Sequence, residues 1–261
     1  MKRFDGLSVV NIEITTRCNK HCWMCWRTKQ KKKSPLYIGA DMETSMLEPL
    51  AGQLPSNIIV QFHINGEPLV HANFGKAISF FHRQIRTLDT NGKMLIQKAD
   101  EIINNLDSIT ISVFEDDAEA DEQFEQIAKF IEIKGARSPH IIFRCSGDVD
   151  TSKYEFRNTM IVKRPIHSND GKYKYKKKQT RPEYGICLDA FSHMAIHQNG
   201  DVCPCICYDS NGINVMGNFE ETPLLNIWHG EKRQKFLRMH IEAKRNDLPL
   251  CGKCEYWGVP G

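Results

Sequence analysis

The chain has 261 residues, enough for one good-sized hydrophobic core with room for a small accessory unit. Hydrophobic residues make up 41% and charged residues 26%, as in an ordinary globular protein, and no apolar run approaches the roughly 20 residues that span a bilayer. The net charge of +3 is small, and ten cysteines in a chain of this size argue for bound metal over a secreted disulfide scaffold. The start, Met1-Lys2-Arg3-Phe4-Asp5, lacks the apolar centre of a signal peptide, which implies a cytoplasmic protein.

Residues 7–15 read as a buried strand that ends in Arg17-Cys18-Asn19-Lys20-His21-Cys22-Trp23-Met24-Cys25-Trp26. The spacing Cys-x3-Cys-x2-Cys lets three thiolates converge from one loop on an inorganic core, and thiolates favour iron–sulfur clusters or zinc over hard cations. A closed structural site takes four protein ligands, whereas a site that binds something keeps one position open. Zinc completed by His21 or a distant cysteine is the alternative. The polar loop from Asn19 to Ala40 is long, and long loops in compact domains are usually functional.

A helix is expected from Glu43 to Leu54, then a strand from Asn57 to Ile64 leading into Asn65-Gly66-Glu67-Pro68. The segment 73–84 reads as an amphipathic helix, 86–88 as a short strand before Asp89-Thr90-Asn91-Gly92, and 98–105 as a helix. Strands follow at 108–114, 140–145 and 159–163, with a helix carrying Phe124, Ile127, Ala128 and Ile131 after the first of them. Alternating strands and helices imply a mostly parallel sheet, with polar motifs at strand C-termini where α/β barrels place their sites.

After this come lysine runs and a change of composition. Lys29, Lys31, Lys32 and Lys33 form one run; Lys172, Lys174, Lys176, Lys177 and Lys178 form another, with Tyr173 and Tyr175 interleaved. Such runs most often mark solvated loops, and they also suit an anionic substrate or nucleic acid. From Cys187 onward the chain carries six of its ten cysteines. Residues 192–202 read as a β-hairpin around Asn199-Gly200, followed by helices over 223–228 and 231–244.

The three-cysteine spacing, with Gly66-Glu67-Pro68 one βα unit later, resembles the radical S-adenosylmethionine (SAM) enzymes. The resemblance implies an α/β fold, a partial (β/α)6 TIM-like barrel, with Cys18, Cys22 and Cys25 holding a [4Fe–4S] cluster whose fourth iron chelates SAM. It also implies that residues 65–68 present backbone carbonyls and the Glu67 carboxylate to the SAM ammonium. Asn91 and Ser112 match positions that bind the SAM ribose or carboxylate, and Met24 stands where an aromatic residue commonly meets the adenine.

The spacing Cys187-x12-Gly200-x4-Cys205, with Cys251 and Cys254 later, resembles the SPASM and Twitch extensions that hold auxiliary clusters. Position 257 is Trp where a full SPASM pattern has a further cysteine, so the expectation is a Twitch-like hairpin-plus-helix unit with one auxiliary [4Fe–4S] cluster on Cys187, Cys205, Cys251 and Cys254. Cys203 or Cys207 could replace Cys205. The expected division is a barrel over 1–170, a basic linker over 171–184 and the cluster unit over 185–261.

The overall pattern is similar to the radical SAM dehydrogenases of aminocyclitols, the 2-deoxy-scyllo-inosamine type. It implies an oxidoreductase that takes a hydrogen atom from a sugar, cyclitol or nucleoside-like substrate and uses a reductant such as flavodoxin or ferredoxin. Arg164 and His167, after the sixth strand, are candidates to anchor substrate or remove a proton, with Asp170 nearby. Cys145, at the end of the fifth strand, is either a buried small hydrophobe or the hydrogen donor of an epimerase or a peptide-modifying enzyme. A zinc-stabilised nucleic-acid-binding protein is the alternative outside enzymes.

Overall fold

The computed structural model describes residues 3–25, 27, 39–166, 187–205 and 212–254. Strands and helices alternate up to Arg164: β1 (Val9–Ile12), α1 (Thr44–Gln53), β2 (Ile59–Phe62), α2 (Phe74–Ser79), β3 (Ile85–Thr90), α3 (Ala99–Ile102), β4 (Ser108–Phe114), α4 (Ala120–Lys134), β5 (His140–Ser146) and β6 (Thr159–Arg164). Then come α5 (Leu188–Ser192), β7 (His193–Ile196), β8 (Asp201–Cys203), β9 (Gly217–Asn218), α6 (Leu224–Trp228) and α7 (Glu231–Ile241).

Among the described residues the nine strands make one sheet in the order β6-β5-β4-β3-β2-β1-β7-β8-β9. Strands β1 to β6 pair in parallel with their sequence neighbours, through α-helical crossovers up to β5 and a short 3₁₀ turn, Ser152–Tyr154, between β5 and β6. This is the partial α/β barrel. On the free side of β1 lies β7, also parallel, with Val9 opposite His193 and Ile12 opposite Ile196. The hairpin strands β8 and β9 follow antiparallel, so the C-terminal region extends the barrel's own sheet.

Register decides which side chains face the barrel interior. Ile109, Ile111 and Val113 of β4 and Ile141, Phe143 and Cys145 of β5 point to the helix-covered face, where they join Phe62, Phe81 and Phe130 in one core. The opposite face carries Asn11, Gln61, Asp89, Ser112 and Arg144, a polar lining. The sixth strand adds Arg164, in register with Ser146 on that interior side.

Two elements differ from the expected boundaries for physical reasons. Strand β3 runs on through Asp89 and Thr90, because Asp89 finds partners on neighbouring strands instead of turning to solvent. Strand β1 stops at Ile12, and the chain then stays extended while pairing elsewhere: Glu13 N–H donates to Ile196 O at 2.9 Å and Thr15 bridges Asp41. Among the described residues no helix is long and apolar enough to cross a membrane.

Candidate active site

The cysteine loop is anchored at both ends before its thiols are set. Arg17 spans both carboxylate oxygens of Asp41, with Nε 3.0 Å from Oδ1, and Thr16 N–H donates to Ala40 O at 2.8 Å. Further on, Lys20 is buried and donates to Asp117 Oδ2 at 2.5 Å, while Trp23 Nε1 donates to Glu115 O at 3.1 Å. Both contacts tie the loop to the turn after β4. The two walls enclose a cleft of about 240 Å³ lined by Lys20, Cys22, Trp23, Met24, Asp117 and Glu119.

Cys18, Cys22 and Cys25 are all half-buried free thiols, and Cys25 N–H closes a turn onto Cys22 O at 3.1 Å. Burial raises the Cys18 thiol and pushes Cys22 up to about 12, against the pull of Lys20 on Cys22. A thiolate here needs a cationic core to hold its charge.

The turn after β2 is fitted directly against this loop. A Cβ on Gly66 would lie 2.1 Å from Thr15 O and 2.7 Å from Arg17 O, so only glycine lets the two backbones touch. Glu67 N–H then donates to Arg17 O at 2.8 Å. The Glu67 carboxylate turns inward. Oε1 accepts from Thr90 Oγ1 at 2.7 Å and Leu69 N at 3.1 Å, and Oε2 accepts from Asn91 N at 2.7 Å. Burial raises its pKa to about 7 against those hydrogen bonds. Expected to address an ammonium group, this carboxylate braces the turn to the end of β3 in the structure. Pro68 opens the short 3₁₀ turn Pro68–Val70 that follows.

Asn91 reaches the cysteine loop from β3: its Nδ2 donates to Asn19 Oδ1 at 2.8 Å and lies 3.8 Å from Cys18 Sγ. Gln123 of α4, 0% exposed, donates through Nε2 to Asn91 O at 2.6 Å and Ser112 O at 2.9 Å, holding two of the expected SAM contacts in place. Gln123 was not among the residues singled out from sequence; a glutamine on the apolar stripe of α4 was the available signal.

Across the interior, polar side chains join strand to strand. Asn11 Nδ2 donates to Gln61 Oε1 at 2.9 Å, Gln61 Nε2 donates to Asp89 Oδ1 at 2.6 Å, and Arg144 Nη1 pairs with Asp89 Oδ2. His63 Nε2 stands 3.8 Å from the same Asp89 oxygen. Burial works against the Asp89 carboxylate, but His63 and Arg144 outweigh it and hold its pKa below the usual carboxylate value. Desolvation lowers the His63 pKa, with Asp89 opposing and Arg144 assisting. These residues escaped the sequence reading, although polar residues at alternate positions of buried strands were the cue.

Expected partners at the other end also meet. Cys187, Cys205, Cys251 and Cys254 line one apolar cavity with Ala190, Phe236, Leu250 and His240. Cys203 instead faces a separate group with Ala195, and Cys207 lies outside the described residues. Cys187 N-caps α5, and Cys205 follows β8. Because β8 runs against β7, Cys205 sits at the end of the sheet where β7 begins, opposite the end that carries Cys18.

Residues 187–255 match the SPASM family, an iron–sulfur cluster-binding domain. Over 254 residues the chain is 25% identical to an S-adenosyl-L-methionine-dependent 2-deoxy-scyllo-inosamine dehydrogenase from Niallia circulans, covering 95% of this chain and 92% of that protein. Its fold is similar to BtrN in complex with AdoMet and 2-DOIA, with TM-score 0.66, 21% identity and coverage of 97% and 94%. It is also similar to anSMEcpe with bound AdoMet, with TM-score 0.63, 13% identity and coverage of 97% and 92%. The chain thus resembles the radical SAM enzymes over nearly its whole length, and its C-terminal region matches an iron–sulfur cluster-binding domain.

The residues present fit iron–sulfur clusters. Two thiol sets on opposite ends of one sheet offer three and four soft ligands, the numbers that an open and a closed cluster need. Among the described residues no three His, Cys, Asp or Glu side chains close on a single-ion site; a cluster core is wider than one ion, and its thiolates stand correspondingly further apart.

Cys145, expected to be either a buried small hydrophobe or a hydrogen donor, does not face the interior: it is 1% exposed in the helix-side core, one residue out of phase with Arg144. Arg164 is half-buried at the end of β6, and its carbonyl accepts from Gly147 N at 2.8 Å. His167, Asp170 and the lysines at 172–178 lie outside the described residues.

Proposed function

We propose that the chain is a radical SAM dehydrogenase that oxidises a secondary alcohol of a small polyhydroxylated substrate, a cyclitol or sugar. In this reading Cys18, Cys22 and Cys25 hold the SAM-binding cluster, and Cys187, Cys205, Cys251 and Cys254 hold the auxiliary one. The bound cofactors supply the hydrogen-abstracting 5′-deoxyadenosyl radical and the final electron acceptor.

The chain's own residues position and deprotonate. Backbone carbonyls of the Asn65-Gly66 turn would receive the SAM ammonium, Met24 would pack on the adenine, and Asn91 and Ser112 would serve the ribose and carboxylate. Oxidation of a carbinol removes a carbon-bound hydrogen atom, a hydroxyl proton and an electron. The proton goes to His63, whose lowered pKa keeps it an acceptor, and Asp89 stabilises the imidazolium that forms. Arg144, locked to Asp89, and Arg164 orient the hydroxyl groups.

The observation that carries the dehydrogenase outcome over epimerisation is the direction of Cys145. The interior positions of β5 belong to Arg144 and Ser146, so hydrogen return from that thiol has no path. Similarity to the Niallia circulans dehydrogenase supports an aminocyclitol as the first substrate to try. A flavodoxin- or ferredoxin-type donor would supply the reducing electron.

The test is anaerobic turnover of 2-deoxy-scyllo-inosamine deuterated at the carbinol carbon. A product lighter by two hydrogens, with one deuterium in 5′-deoxyadenosine, is expected. A product one mass unit lighter in water, its carbinol deuterium replaced by a solvent hydrogen, would make the enzyme an epimerase, and a colourless protein with zinc and no iron would end the radical SAM assignment of both thiol sets.

A further inference from the structure

The four-thiol cavity contains a buried imidazole that the cluster ligands do not account for. His240, on the last turn of α7, is 2% exposed and lines the cavity beside Cys187, Cys205, Cys251 and Cys254. Among the described residues neither Nδ1 nor Nε2 has a hydrogen-bond partner. Its ring is held between Phe236, with centroids 5.0 Å apart, and Phe191, 6.4 Å away edge-on. An imidazole buried in an apolar wall without a partner is costly, because a lost hydrogen bond there is not replaced by water. Such a group needs a reason to be where it is.

We propose that His240 donates an N–H···S hydrogen bond to a sulfur of the auxiliary cluster, raising the cluster's reduction potential so that it can take the substrate's electron. The imidazole carries at least one N–H in either protonation state, so the donor exists whichever form is present. A donor aimed at cluster sulfur stabilises the reduced, more negative cluster, and hydrogen bonds to the sulfurs are among the levers that set such potentials. His240 is thus a positioning and tuning residue that touches the acceptor without touching substrate. The inference rests on reading Cys187, Cys205, Cys251 and Cys254 as cluster ligands.

The test uses the full chain with Cys18, Cys22 and Cys25 replaced by alanine, so that any remaining iron and sulfide belong to the C-terminal site. His240→Phe keeps a flat ring and removes the N–H; His240→Gln keeps a donor. EPR-monitored redox titration should show the Phe variant harder to reduce by about tenfold in equilibrium constant, which is about 59 mV for one electron. The Gln variant should recover part of that shift. An unchanged potential in a fully loaded Phe variant would reduce His240 to packing and overturn the proposal.

Should the Phe variant lose its cluster, pulsed EPR on the parent triple-alanine protein labelled with ¹⁵N-histidine decides. A weak nitrogen coupling to the reduced cluster supports the hydrogen bond; no coupling, or the strong coupling of a ligating nitrogen, overturns it. A parent protein without iron would overturn the ligand reading itself, a result distinct from either histidine outcome.

Discussion

Glu13 and His197 meet across the seam where β1 and β7 lie side by side, with Oε2 3.0 Å from Nδ1 and both side chains buried. The other oxygen, Oε1, accepts from Asn65 Nδ2 at 2.7 Å and Asn65 N at 3.2 Å. One carboxylate therefore clasps the SAM-side turn and the C-terminal hairpin together. Glu13→Ala leaves buried donors without an acceptor and should destabilise the protein by about 1–3 kcal/mol. Urea denaturation of Glu13→Ala, His197→Ala and the double variant measures it; additive losses would mean the two side chains do not act as a unit.

Gly66→Ala forces a methyl group into two backbone carbonyls of the cysteine loop. We expect iron and sulfide at the N-terminal site to fall to a minor fraction while the C-terminal site stays loaded. Elemental analysis of the variant, with and without the Cys187, Cys205, Cys251 and Cys254 set, separates the two contents. Full loading of both sites would show that the loop yields easily.

Glu67 gives a pH signature. Its pKa is raised in the fold, from 4.5 to about 7, so between those values the unfolded chain releases a proton that the folded chain keeps. Stability of the SAM-free protein should accordingly be highest below pH 4.5 for this group's contribution and decline as pH rises to about 7. Glu67→Gln should flatten that interval in urea titrations, and an unaltered pH slope in the variant would assign it to other groups.

His63 and Asp89 are expected to matter to rate more than to binding. His63→Gln should lower kcat by about 10²–10⁴-fold, the usual worth of a positioned proton acceptor, with KM for the substrate little changed. In the native enzyme the acid limb of kcat/KM should fall below the ordinary histidine value of 6.5, since desolvation lowers this pKa. Steady-state pH profiles read both, and an identical acid limb in His63→Gln would move the base elsewhere.

Cys145→Ala should form the oxidised product at a rate near that of the native chain, with no build-up of substrate radical by EPR. Loss of product with an accumulating radical would restore the thiol to the chemistry.

The cysteine spacings made both thiol sets readable, because ligand distance along a loop is a local property. The direction of Cys145 was not readable: both faces of β5 are largely covered, and in such a strand the alternation that distinguishes interior from core is blurred. The Asp89–Arg144 pair was hidden for another reason. A carboxylate after three residues of strand looks like the strand's end until its partner, 55 positions later, is brought in across the one intervening strand, β4. Glu67 was found, but the three donors that surround its carboxylate were not legible, since sequence shows the carboxylate alone.

The in-register pairing of β7 with β1 makes the sheet a ruler. Four paired residues span about 13 Å at the usual rise per residue, and the thiol sets hang from opposite ends of that span, with Asn11 and Gln61 about midway. The gap between the two thiol sets is therefore fixed by backbone hydrogen bonds and not by the length of the connection between Arg164 and Cys187. On the proposed ligand sets, lengthening that connection should leave the magnetic interaction between the two reduced clusters unchanged, while a one-residue slip of β7 would alter it.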